Sequence, residues 1–86
     1  MEADPKGINF PVLCHYKIIA LDRPGMKEEL EKIFFEVNIS VEFSPGRYSD
    51  EGKYVTYNAS VTIQTLELMR YLDRAIRALD GVKFVL

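Results

Sequence analysis

The chain predicts an α+β two-layer sandwich, a four-stranded antiparallel sheet carrying two helices on one face. Three observations lead there. Tyr54 to Ile63 alternates apolar and polar residues without a break, as a strand does when its sheet is covered on one side only. Two segments, one ending at Val37 and one at Leu79, repeat apolar residues at helical spacing. Glycine, proline and asparagine separate these and three further apolar runs into the order strand, helix, strand, strand, helix, strand.

Each element has its own justification. Val12 to Leu21 is the first strand, with Cys14, Tyr16, Ile18 and Ala20 on the core face and Leu13, His15, Lys17, Ile19 and Leu21 on the other. Asp22-Arg23-Pro24-Gly25 follows, and Asp22 is expected to cap the first helix by accepting its orphan amide hydrogens. Pro24 is tolerated in a first turn, where its missing N–H has no partner to lose. Met26, Leu30, Ile33, Phe34 and Val37 share one face of that helix, and Asn38 is expected to end it in the left-handed conformation. Strand two is expected to begin at once, with Ile39, Val41 and Phe43 inward, and Pro45-Gly46 and Asp50-Glu51-Gly52 to punctuate the hairpin beyond it. Strand three directs Val55, Tyr57, Ala59, Val61 and Ile63 to the core. Thr65 caps the second helix, whose apolar stripe is Leu68, Met69, Leu72, Ala75, Ile76 and Leu79, and Gly81 stops it before a final strand from Val82 to Leu86. Phe34, Ile33, Tyr57, Leu72 and Ile76 are the expected core. With right-handed crossovers the sheet order becomes 4-1-3-2, a ferredoxin-like sandwich.

Composition narrows the function. Eighty-six residues, 48% hydrophobic and 28% charged, make one domain with a thin core. Residues 1–9, broken by Pro5 and Gly7, read as a loose lead-in, and residues 10–86 as the single domain. Eleven basic against thirteen acidic side chains give a net charge of −2, which opposes a dedicated nucleic-acid binder. The single cysteine, Cys14, cannot form an internal disulfide. The opening residues lack a basic region followed by an apolar core, and no segment approaches the ~18 apolar residues of a membrane span. A cytoplasmic protein is expected.

Two resemblances follow from particular residues. Asp22-Arg23-Pro24-Gly25, the helix through Lys32-Ile33-Phe34, Asn38-Ile39 and Leu79-Asp80-Gly81-Val82 are similar to the pattern of ACT domains, regulatory modules that bind amino acids or similar metabolites. Phe10-Pro11, Tyr16-Lys17-Ile18, Ser49 with Gly52-Lys53-Tyr54, and Val82-Lys83-Phe84-Val85-Leu86 resemble a family of small bacterial proteins of unknown function typified by YbeD, itself ACT-like in fold. Together they cover residues 10–86. The ACT resemblance implies a homodimer and an amino-acid-like effector at its interface, contacted by Asp22, Gly25 and Asn38. Three departures accompany it. Ala20 stands where serine-binding members carry histidine, the glycine before Asn-Ile is missing, and the helix-to-strand connection reads as shorter.

The remaining residues point away from catalysis. One His and one Cys cannot assemble a nucleophile, a base and an orienting group, and no Cys/His cluster suggests a metal or cofactor site. His15 lies on the open sheet face, where it could serve as a proton carrier or a metal ligand, but its strand neighbours Leu13 and Lys17 are not ligands. Arg70, Arg74 and Arg77 line one side of the second helix, interleaved with Glu67 and Asp73, as a solvated face does. The expectation is therefore a non-enzymatic, stand-alone regulatory or interaction module that modulates a partner protein. It is expected to dimerise through the open sheet face or an edge strand. A weak RNA-binding domain using Tyr54, His15 and Lys17 on that face is the alternative.

Overall fold

The computed structural model describes residues 9–49 and 51–86. The elements are β1 (Val12–Leu21), α1 (Met26–Phe35), β2 (Ser44–Ser49), β3 (Tyr54–Ile63), α2 (Leu66–Ala78) and β4 (Val82–Val85). They form one antiparallel sheet in the order β2-β3-β1-β4, the expected topology. Apart from Asn9, the lead-in lies outside the described residues, as does Asp50 of the hairpin.

The β1–β3 pair is the spine, in register from Val12↔Ile63 to Leu21↔Tyr54. Its inner face supplies Ile18, Ala20, Val55, Tyr57, Val61 and Ile63 to the core. Met26, Leu30 and Phe34, spaced by four along α1, and Leu72 and Ile76 of α2 close over them. Ile33, expected beside Phe34, is only half-buried. Phe10 and Phe43 join the core from outside the regular elements. Phe34 is the hinge of an aromatic cluster, edge-on to Tyr16 at 5.3 Å and to Phe43 at 5.6 Å.

Helix α2 starts as expected, with Thr65 Oγ1 accepting from the Leu68 amide at 3.1 Å. Helix α1 starts differently. Its N-cap is Gly25 at φ +85°, with no side-chain cap, so Asp22 does not cap it. Arg23 to Met26 instead form a type II turn, closed by the Met26 amide donating to the Arg23 carbonyl at 3.2 Å. Pro24 presets the second position of that turn, and Gly25 takes the third, where φ must be positive. Asp22 is left too far ahead of the helix to reach its amides. The other end is as expected. Asn38 adopts φ +64°, and the Ile39 amide reaches back to the Phe34 carbonyl at 2.9 Å, a Schellman closure.

Strand two is displaced from its expected place. Residues 39–43 form no strand, so the connection from α1 is longer than the sequence suggested. Phe43 is fully buried, and its amide donates to the Glu31 carboxylate at 2.8 Å instead of to a ladder partner. The strand starts at Ser44 and runs through Pro45-Gly46, the residues expected to punctuate the hairpin, with Ser44 and Pro45 opposite Asn58 and Tyr57. Two physical facts permit this. Proline is harmless on an edge strand, where its missing donor faces outward. A Cβ at Gly46 would stand 2.9 Å from Asn58 Nδ2 and 3.3 Å from the Thr56 carbonyl, so a larger residue would push the Asn58 side chain and the neighbouring backbone aside. The register shift between Pro45 and Tyr48 marks the irregularity.

Candidate functional site

Two regions compete for function: the turn after β1 and the uncovered face of the sheet. The turn is woven into its neighbours. The Asp22 amide donates to the Lys53 carbonyl and the Leu21 amide to the Gly81 carbonyl, each at 2.9 Å. Arg23 donates through Nη1 to Glu29 Oε2 at 2.5 Å and through Nη2 to the Asp80 carbonyl at 2.9 Å. The Arg23 hydrogen bond holds the Glu29 carboxyl below its ordinary range. Gly25 lies beside that carboxylate, since a Cβ built on it would meet Glu29 Oε2 at 3.7 Å. The turn thus ties β1 to both the β2–β3 hairpin and the α2–β4 turn.

Of the three residues that the ACT resemblance implicates, the structure brings Asp22 and Gly25 together and leaves Asn38 apart. Asn38 follows the far end of α1, a ten-residue helix ~15 Å long. One chain therefore cannot close all three around a small molecule.

The outer sheet face is built by register. Leu13↔Thr62, His15↔Ser60, Lys17↔Asn58, Ile19↔Thr56 and Leu21↔Tyr54 are its β1–β3 pairs, and Phe84 of β4 stands opposite Ile19. Leu13 and Phe84 are 57% and 52% exposed, large apolar side chains that no helix covers. His15 Nδ1 and Ser60 Oγ share a hydrogen bond of 2.7 Å across the strands. Neither the flanking pairs nor the shallow groove formed with Lys17, Ser44 and Asn58 adds a carboxylate that could orient the imidazole, and Asp73, which lines a second groove with His15, is paired with Arg77. This pair fastens strands together. Lys83 Nζ sits 4.4 Å from the Tyr54 ring centroid, with Lys53 Nζ at 5.7 Å, so cations already occupy the ring that a stacked base would need.

Within the four strands, formal charge is of one sign. None of the four strands contains an aspartate or glutamate, whereas His15, Lys17, Arg47 and Lys83 lie within them and Lys53 precedes β3. Many of the acids stand on the helix layer: Glu28, Glu29 and Glu31 on α1, Glu67 and Asp73 on α2. Lys53, Lys83 and Phe84 entered the sequence reading only through the family resemblance and not as surface residues. The signal was present, since counting charge by element rather than over the whole chain reveals the segregation that a net −2 conceals.

Cys14 is half-buried, and burial pushes its thiol up, away from reactivity at neutral pH. Beside it the Tyr16 hydroxyl is pushed up to about 12, by burial first and then by the negative charges available to Cys14 and Asp73. Asp73 pairs with Arg77 at 3.0 Å, the expected i,i+4 contact. Among the described residues no three His, Cys, Asp or Glu side chains gather to hold a metal ion, and no helix is long and apolar enough to cross a membrane.

Topology, sheet order and the turn after β1 together define an ACT-like domain of the ferredoxin-like class. More narrowly, the chain belongs to the family described as "Protein of unknown function (DUF493)", the YbeD-like family, whose model matches residues 5–86. The solution structure of protein HP0495 from H. pylori superimposes with a TM-score of 0.79 at 20% sequence identity, covering 100% of this chain and 94% of that one. That likeness is one of fold. No match is found among curated proteins.

Proposed function

We propose that this protein is a non-enzymatic regulatory module that modulates a partner protein by binding it. The observation that carries this reading is the uncovered sheet face, where Leu13 and Phe84 remain exposed on a rigid, fully registered pair of central strands. The turn after β1, by contrast, has its arginine and its backbone amides engaged within the fold.

Dimerisation belongs to the same proposal. A two-fold contact between open faces would set like charges against each other, because such an interface pairs a patch with its own copy. That directs self-association to an edge strand. An amino-acid-like effector, in this reading, enters at Asp22 and Gly25 and is closed by Asn38 of a second subunit, since α1 separates these residues within one chain. Light scattering at high micromolar concentration tests the dimer, and a monomer there contradicts it. A thermal-shift panel of amino acids and anionic metabolites tests the effector. Ligand at 100 times its Kd stabilises by ~2.7 kcal/mol, a rise in Tm of ~10 °C or more for a domain of this size. Asp22→Ala should abolish that rise and leave the unliganded Tm unchanged, because Asp22 is exposed and only its backbone is bonded.

A further inference from the structure

We infer that the open sheet face binds an acidic segment of a partner protein in which carboxylates alternate with large apolar side chains. This rests on the binding-module reading above and names the partner's chemistry. Three features of the face converge on it. Leu13, Ile19 and Phe84 supply an apolar strip, with Leu13 and Phe84 each more than half exposed. Lys17 stands beside that strip on β1 and Lys53 just precedes β3, both exposed, and the four strands themselves contain no acidic residue. Thr56, Asn58, Ser60 and Thr62 add donors and acceptors along the neighbouring strand. Charge complementarity then selects acids on the partner, and the apolar strip selects leucine- or phenylalanine-like side chains between them.

The same geometry disfavours two other occupants. A second copy presents lysines to lysines. A single-stranded nucleic acid needs open aromatic faces, and the Tyr54 ring has Lys83 at 4.4 Å from its centroid. The hydrogen-bonded His15–Ser60 pair supplies no second stacking surface.

The test uses fluorescence anisotropy with the full chain and four labelled probes of ~14 units. These are a peptide mixing Asp and Glu with Leu and Phe, a twin with Lys for every acid, an all-glutamate peptide, and oligouridylate. The acidic–apolar peptide should bind best, and more weakly as salt rises from ~50 to ~500 mM. Reversing Lys17→Glu and Lys53→Glu together should weaken it at least ~10-fold, and Leu13→Ser should weaken it as well. Both variants alter exposed side chains, and an unchanged Tm verifies their folding. No binding of the acidic–apolar peptide, or binding indifferent to the double reversal, overturns the inference. Equal affinity for all-glutamate overturns its apolar half, and tighter binding of oligouridylate assigns the face to nucleic acid instead. A dimer or an effector response without peptide binding would sink this inference while leaving the regulatory-module reading in place.

Discussion

Truncating Phe34 to alanine tests the core at its centre. Phe34 is fully buried and meets Tyr16 and Phe43 edge-on, at interplanar angles of 79° and 61°. Removing a buried phenylalanine costs ~3–5 kcal/mol, from lost transfer energy and the cavity left behind. An 86-residue domain has a total stability of ~4–13 kcal/mol, at ~0.05–0.15 kcal/mol per residue. The variant should therefore lose about a quarter of its stability or more. Phe34→Leu separates the contributions. It keeps most of the apolar volume but loses two aromatic pairs, each ~0.5–1.5 kcal/mol, so a loss of ~1–3 kcal/mol is expected. Urea unfolding followed by circular dichroism measures both, with the m-value confirming that surface exposure on unfolding is unchanged. A loss below ~1 kcal/mol for Phe34→Ala would refute the reasoning, because no fully packed phenylalanine can be removed so cheaply.

Three further predictions concern the frame around that core. Thr65→Ala should cost ~1 kcal/mol by releasing the Leu68 amide, and Thr65→Ser, which restores the hydroxyl, should recover most of it in the same urea experiment. Gly81→Ala should destabilise more than Gly52→Ala. Both have positive φ, at ~1–2 kcal/mol each, but a Cβ at Gly81 also meets Met26 Cε at 2.8 Å while the space around Gly52 is open; equal losses would show that only backbone strain matters. Stability should fall in alkali through Tyr16. Its folded pKa of about 12 exceeds the unfolded ~10, so its contribution is complete below pH ~10 and disappears as pH climbs toward 12, where the unfolded chain is first to give up the proton. Urea midpoints between pH ~8 and ~11.5 should therefore decline less steeply in Tyr16→Phe, and an identical decline would place the titrating group elsewhere.

Much of this architecture was legible in the residues themselves. β1 and β3 carried unbroken periodicity and came out with their expected boundaries, and Thr65 and Asn38 announced the helix ends through chemistry that needs no tertiary context. β2 was not legible, for a tertiary reason. Ile39, Val41 and Phe43 alternate like a strand, yet Glu31, twelve residues before Phe43 and on another element, takes the amide that a ladder would have used. Pro45-Gly46 read as a break because sequence does not reveal that the strand would lie at an edge, where both residues are tolerated. Asp22 was misplaced as a cap because the type II turn consumes the three residues between it and α1. At the surface, His15 and Lys17 were visible as open-face residues. The one-signed charge of the strands could have been counted element by element, whereas register was needed to set Phe84 of β4 opposite Ile19.

The central claim is that the outer face of the sheet, and not the turn after β1, is where a partner protein is held. Chemical-shift mapping on the isotopically labelled chain, titrated with the acidic–apolar peptide, tests it most directly. The account predicts that the largest amide shifts trace Leu13, Lys17, Ile19, Thr56 and Phe84, with α1 and α2 nearly silent. Shifts concentrated on α1, α2 or the Asp22–Gly25 turn would contradict it.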